Sequence, residues 1–271
     1  NKKYKYIEII VNNVKNLEVR NVIFWKGANM VLEGCKNIRF VNCTWEGINP
    51  NGVNKIWTCG IRLRGRTENG ESIWCEDIHF EGCTFKDIWY NENLQGSYSH
   101  HISGIGIVPQ SVHRLFVNNC FFTQIKGNAA IHWNTYDKSG YFEITNNLFY
   151  LTCFGSVCLF AFQAEFPKMR CKVSNNQFIG NSCYGQGTLQ DEENCRLMEE
   201  KYKLDYKLQV RYNPSVNFIY RYCTEEDYDP DDPMVFSDNV MGRSYVDRDG
   251  FIALPGVYAS PVVFTNNTLD T

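Results

Sequence analysis

Apolar and polar positions alternate along the chain in short runs, and one run supplies the pattern for the rest. The stretch Ala28 to Trp45 reads ANMVLEGCKNIRFVNCTW, in which Ile38-Arg39-Phe40-Val41 leads into Asn42, then Cys43-Thr44 and an aromatic. The same eight-residue frame recurs as Leu17–Phe24, Ile78–Phe85, Leu115–Phe122, Phe142–Phe149, Cys171–Phe178, Met234–Met241 and Val262–Leu269. Its fifth position is Asn21, Asn42, Gly82, Asn119, Asn146, Asn175, Asp238 and Asn266, at spacings of 21, 40, 37, 27, 29, 63 and 28 residues. The chain therefore reads as a repeat protein.

Between frames the pattern predicts one further short strand, at Met30–Leu32, Gly60–Leu63, Gly104–Ile107, Ala129–Trp133, Val157–Phe162 and Ile252–Leu254, with Val216–Tyr220 filling the longest gap. A unit this short cannot bury its own apolar face and must stack on its copies. The alternation has period two and no 3.6-residue stripe, so the stacked elements are strands. Parallel strands returning through loops wind into a coil.

On these residues the frame resembles the parallel β-helix repeat of the pectate-lyase-like superfamily, where a G-I-x-L strand precedes an I-x-F-x-N-C-x-F segment. The likeness covers 7–181 and 234–271. It implies an all-β, right-handed parallel β-helix of about eight coils, a single domain over 1–271, with a long, partly helical insert at 181–233. It also implies that the repeated Asn lies inside the turn between second and third strands, stacking coil on coil and satisfying buried backbone groups. The same coil serves lyases, hydrolases, epimerases and viral spikes, so fold alone does not give function.

In the insert, Cys195, Met198 and Tyr202 at helical spacing predict a short amphipathic helix over 191–204. The segments 46–58 and 65–74 read as loops that add no strand, and 86–103 as another excursion. The acidic run Glu225–Asp232 offers oxygen ligands and admits calcium, but lacks the glycine turn of an EF-type loop; no cofactor is otherwise implied. The first coil's strand edge is expected to be covered by a preceding domain or a partner.

Composition narrows the classes. A net charge of −3 supplies no basic footprint for nucleic acid, and no apolar run is long enough to span a membrane. The chain opens on Asn1-Lys2-Lys3-Tyr4 without a basic-then-apolar leader, as expected of a processed secreted protein or a piece of a longer one. Cys43, Cys83 and Cys120 share one slot of the repeat, and Cys35 and Cys75 another; buried free thiols in a ladder are expected there rather than bridges. The twelve cysteines include no C-x-x-C pair, so no metal site is expected of them.

The resemblance implies that substrate lies on the face made by the first strand of each coil. If Ile61 and Leu63 point inward, Arg62 and Arg64 point outward. The expected companions on neighbouring coils are Val31 with Glu33, Gly106 with Val108, and His132 with Asn134. Elimination from a uronic acid needs a cation against the sugar carboxylate, a role for Arg62 and Arg64, and a base for the C5 proton, a role for His132, or for His100 or His101. Glu33, Asn134 and the loop residues Tyr98, His100, His101, Lys138 and Glu165 are the expected substrate contacts, with Tyr98 as an acid. His79 and His113 read as surface residues.

The Trp-x-Asp-His and Arg-x-Pro-x-x-Arg segments and the groove aspartates of calcium-dependent pectate lyases are absent, as are the Gly-His-Gly and Arg-Ile-Lys of polygalacturonases. Three readings therefore stand: an extracellular lyase or epimerase acting on an acidic polysaccharide; a non-catalytic virion or cell-surface spike, as a homotrimer or part of a longer chain; and a scaffold that binds a partner through 181–233.

Overall fold

The computed structural model describes residues 7–25, 28–48, 59–89, 104–126, 129–135, 141–150, 152, 157–161, 170–179, 216–220, 234–242, 252–253 and 262–270. The described residues are all β, without helix, and form three parallel sheets of eight strands each. The first sheet contains Ile7–Asn12, Ala28–Glu33, Cys59–Arg64, Ile105–Pro109, Ile131–Thr135, Val157–Ala161, Val216–Tyr220 and Ile252–Ala253. The second contains Lys15–Arg20, Lys36–Val41, Glu76–Glu81, Arg114–Asn118, Tyr141–Thr145, Arg170–Ser174, Met234–Ser237 and Val262–Thr265. The third contains Ile23–Trp25, Thr44–Ile48, Thr84–Trp89, Phe121–Lys126, Leu148–Tyr150, Gln177–Ile179, Val240–Gly242 and Thr268–Asp270.

The chain visits the three sheets in rotation, and each circuit lays one strand beside its counterpart from the circuit before. This is compatible with a parallel β-helix, and Val216–Tyr220 is the strand expected in the longest gap. The helix expected over 191–204, the acidic run 225–232 and the rest of the insert up to residue 215 lie outside the described residues.

Repetition places like residues on like residues. In the third sheet Phe24, Trp45, Phe85, Phe122, Phe149 and Phe178 form one stacked file, with successive ring centroids 4.9, 4.6, 4.9, 4.8 and 4.9 Å apart. Those distances match the strand spacing, so each ring covers the next with no shift in register. In the second sheet Ile38, Ile78, Leu115 and Phe142 fill the same inward row and are fully buried.

The repeated Asn does form one continuous file, but not the buried one the resemblance implies. Asn21, Asn42, Asn119, Asn146, Asn175, Asp238 and Asn266 are exposed, and all adopt positive φ between 54 and 59°, with Gly82 at 61° in the same row. What the row requires is a left-handed residue at a sharp turn, a conformation open to Asn, Asp and Gly at little cost.

The buried file lies one residue later. Asn147 and Asn176 are buried, and each backbone N–H there donates to the side-chain oxygen one circuit on: Cys120 to Asn147 Oδ1 (2.8 Å), Asn147 to Asn176 Oδ1 (2.9 Å), Asn176 to Asn239 Oδ1 (2.9 Å), Asn239 to Asn267 Oδ1 (3.0 Å). Each Nδ2 donates back to one carbonyl row, from Asn147 to Val117 O through Asn267 to Phe236 O. In the earlier circuits a thiol takes this place. Cys43, Cys83 and Cys120 donate to Val19 O (3.4 Å), Phe40 O (3.4 Å) and Phe80 O (3.6 Å), which belong to the same carbonyl row.

The seven cysteines whose side chains are described, Cys35 and Cys75 among them, are buried free thiols. Cys35 and Cys75 form the second ladder, donating to Val11 O and Leu32 O of the preceding circuit.

One expected loop is a strand pair. Arg66–Glu68 and Glu71–Ile73 form an antiparallel hairpin between the first and second sheets. Its turn is Asn69-Gly70 with φ of 51 and 80°, the two-residue connection whose backbone suits the twist of a hairpin. Two other expected loops begin later than the pattern placed them, because 46–48 and 86–89 continue third-sheet strands.

Candidate functional site

The first sheet places Arg62 and Arg64 on one outward face, since Ile61 and Leu63 between and beside them are fully buried in the core. Their neighbours are not all as alternation suggested. Val31 and Glu33 lie beside Arg62 and Arg64, but on the other side Val108 pairs with Arg62 and Gln110 follows in register with Arg64. The register of the strand Ile105–Pro109 differs by two residues from the expected one, which puts Gly106 beside Gly60. There a side chain would not fit: a Cβ at Gly60 would stand 2.6 Å from Gly106 O, and one at Gly106 2.6 Å from Ala130 O.

The outer face is a second, smaller buried layer at these rows. Val31, Val108 and His132 are only 2, 4 and 2% exposed, although they point away from the core. Cys59 packs with Val108 rather than with the core. Its N–H donates to the buried Asn29 Oδ1 (3.1 Å), and the Arg62 guanidinium is hydrogen-bonded beside its thiol. Burial pushes that thiol up to about 11 in spite of Arg62, so it is neutral at physiological pH. Arg64 is ion-paired with Glu33, whose side chain is 14% exposed.

Of the expected catalytic residues, Arg62 and His132 share one row, two strands apart with Val108 between them, or roughly 10 Å at ordinary strand spacing. Arg64 lies one row along, engaged by Glu33. The backbone of Asn134 is described at the end of the strand Ile131–Thr135. Tyr98, His100, His101, Lys138 and Glu165 lie outside the described residues. No cluster of metal-ligating side chains occurs among the described residues.

A second group of polar residues was not singled out by the pattern. Where the hairpin meets the second sheet, a cleft of about 340 Å³ is lined by Lys36, Ser72, Ile73, Trp74, Glu76, His113 and Arg114. Trp74 and His113 stack with ring centroids 4.4 Å apart at 24°. Glu76 bridges Lys36 and Arg114, both at 2.9 Å, and Arg114 grips Asp77 through two nitrogens, one of them at 2.6 Å. The Lys36 ammonium holds the Glu76 carboxyl below the usual carboxylate range, and the Arg114 guanidinium does the same for Asp77. The readable signal was Asn69-Gly70 followed by a lone Trp at the entry to the next strand.

Compared with protein-family models, with curated proteins and with solved structures, the chain matches none.

Proposed function

We propose that the chain is a right-handed parallel β-helix of the pectate-lyase-like kind, extracellular or on a cell or virion surface. In this reading it holds an acidic polysaccharide along the outer face of the first sheet and processes it by elimination. The observation that carries the reading is Arg62, an outward-facing guanidinium on that sheet, in one row with His132.

A guanidinium against a uronate carboxylate forms paired, charge-assisted hydrogen bonds and makes the C5 proton more acidic. A base in the same row removes that proton, the C4–O bond breaks, C4=C5 forms, and the departing oxygen takes a proton. The row runs across the strands, the direction a linear glycan laid along this sheet would take, and Arg62 is its partly exposed member.

The test is incubation with uronic-acid polymers, following the ultraviolet absorbance of the unsaturated product, with an Arg62→Ala, His132→Ala double variant beside the parent. Product from the parent and none from the variant is expected. Equal turnover by both removes these residues from the site.

A second reading is favoured by the burial of Val31, Val108 and His132 on the same face: a non-catalytic shaft, with glycan bound elsewhere or not at all. A trimer by light scattering, together with no unsaturated product from any uronate, would select it.

A further inference from the structure

We propose that the cleft between the hairpin Arg66–Ile73 and the second sheet is a binding site for a neutral pyranose sugar. The inference uses none of the residues assigned to the first-sheet face, so the two readings fail separately.

Three features define the ligand. The cleft, about 340 Å³, falls at the small end of pockets that hold small molecules, large enough for one or two sugar rings and too small for a folded partner. One wall is aromatic: Trp74 and His113, stacked at 4.4 Å, present rings beside Ile73. A pyranose has a face of C–H groups, and the negative face of an aromatic ring attracts such slightly positive hydrogens while removing apolar surface from water.

The rest of the lining is polar but internally neutralised. Lys36 and Arg114 carry two positive charges, Glu76 one negative charge, and Asp77, which does not line the cleft, supplies the second by pairing with Arg114, so each cation is already in an ion pair. A charged ligand would compete with these pairs and gain little, whereas hydroxyl groups can add to them. Carboxylate oxygens accept further hydrogen bonds and the guanidinium and ammonium donate further ones, without breaking the pairs. The Ser72 hydroxyl adds a donor and an acceptor on the hairpin side.

The hairpin is what builds the cleft at this circuit. It is the only antiparallel pair among the described strands, and it projects at the entrance to the second sheet. Arg66 at its base packs its stem against Gly34: a Cβ there would meet Arg66 Cδ at 3.2 Å and Ile73 Cγ2 at 3.1 Å. The wall carrying Ser72 and Ile73 is thus seated on the turn of the preceding circuit.

The test is titration of the full chain with methyl glycosides of neutral hexoses and with short neutral oligosaccharides. Saturation-transfer NMR and tryptophan fluorescence report on binding. Saturable binding at millimolar concentrations is expected, with transfer from aromatic protons and little change when salt is raised. Trp74→Ala and His113→Ala are each expected to weaken binding about tenfold or more, which is about 1.4 kcal/mol, while Arg62→Ala leaves it unchanged. His113 is exposed, so its replacement keeps the test sound even if Trp74→Ala disturbs the hairpin. Binding of methyl glycosides and oligosaccharides alike identifies a single-ring site, and binding of oligosaccharides alone a site for a chain segment. No saturable binding of any neutral sugar, or binding that survives His113→Ala, overturns the proposal. So does binding lost on Arg62→Ala.

Discussion

Cys120 and Asn147 occupy the same place in successive circuits, and Asn147 Oδ1 accepts the Cys120 backbone N–H at 2.8 Å. The pair marks the point where a ladder of thiols gives way to a ladder of amides. Both side chains send a donor to the same carbonyl row, at Phe80 and Val117.

Adjacent asparagines should therefore behave differently. Asn175 is exposed with φ of 56°, so Asn175→Gly is expected to be near neutral and Asn175→Ala to cost about 1 kcal/mol. Asn176→Ala strips the acceptor from the Asn147 N–H and the donor from Ile144 O, both buried. About 3 kcal/mol or more should be lost. Chemical denaturation of the three variants orders them.

Cys120→Asn extends the amide ladder by one circuit. Its Nδ2 can reach Phe80 O and its Oδ1 can accept the Cys83 N–H, both of which the thiol now serves at 3.6 and 3.4 Å. Stability within about 1 kcal/mol of the parent is expected, against a loss of about 2 kcal/mol for Cys120→Ala. Thermal unfolding followed by circular dichroism separates the two.

Phe85 lies between Trp45 (4.6 Å) and Phe122 (4.9 Å) in the aromatic file. Phe85→Ala should cost about 3–5 kcal/mol. Because circuits touch only their neighbours, the loss should be local. Hydrogen exchange is expected to rise first in the strands Thr44–Ile48 and Phe121–Lys126, with slower exchange retained farther along the stack.

Burial raises the thiols of Cys59, Cys75 and Cys171, to about 11 for Cys59 and about 12 for Cys75, from an ordinary value of 9.0. A folded-state value above the unfolded one means the folded chain holds protons that the unfolded chain releases. Stability is then full below pH 9.0 and falls as pH rises through the folded values. Cys75 pairs with Val112 of the next circuit, so Cys75→Val suits the column. It should lessen the decline between pH 9 and 10 by about 1 kcal/mol. An unchanged slope in denaturation curves across that range would show that Cys75 is not protected.

The path of the chain was legible because stacked circuits force a shared pattern: Ile38, Ile78 and Leu115 must align for any of them to be buried. The role of the amide column was misread, although its membership was not. A row that alternates among Asn, Gly82 and Asp238 carries the signature of positive φ, since glycine has no amide to stack. The next row, Cys then Asn, holds the residues that satisfy buried backbone groups. Register on the first sheet slipped at Gly106 because two glycines hide the alternation just where backbones approach most closely. The Trp74–His113 cleft was missed for a different reason. It belongs to a hairpin outside the repeat, and a search for what recurs passes over what has no counterpart among the described residues.

The amide ladder has a sense of direction, because each backbone N–H looks forward to a side chain supplied by the circuit that follows. Shortening the rod is thus not symmetrical. Trimming the circuit that carries Asn267 deprives Asn239 of the acceptor for both its N–H and its Nδ2, whereas trimming Ile7–Trp25 forfeits the weaker sulfur-borne bonds to Val11 and Val19. Any lengthened or spliced version of this scaffold will therefore tolerate a new joint more readily among the cysteine rungs than among the asparagine ones.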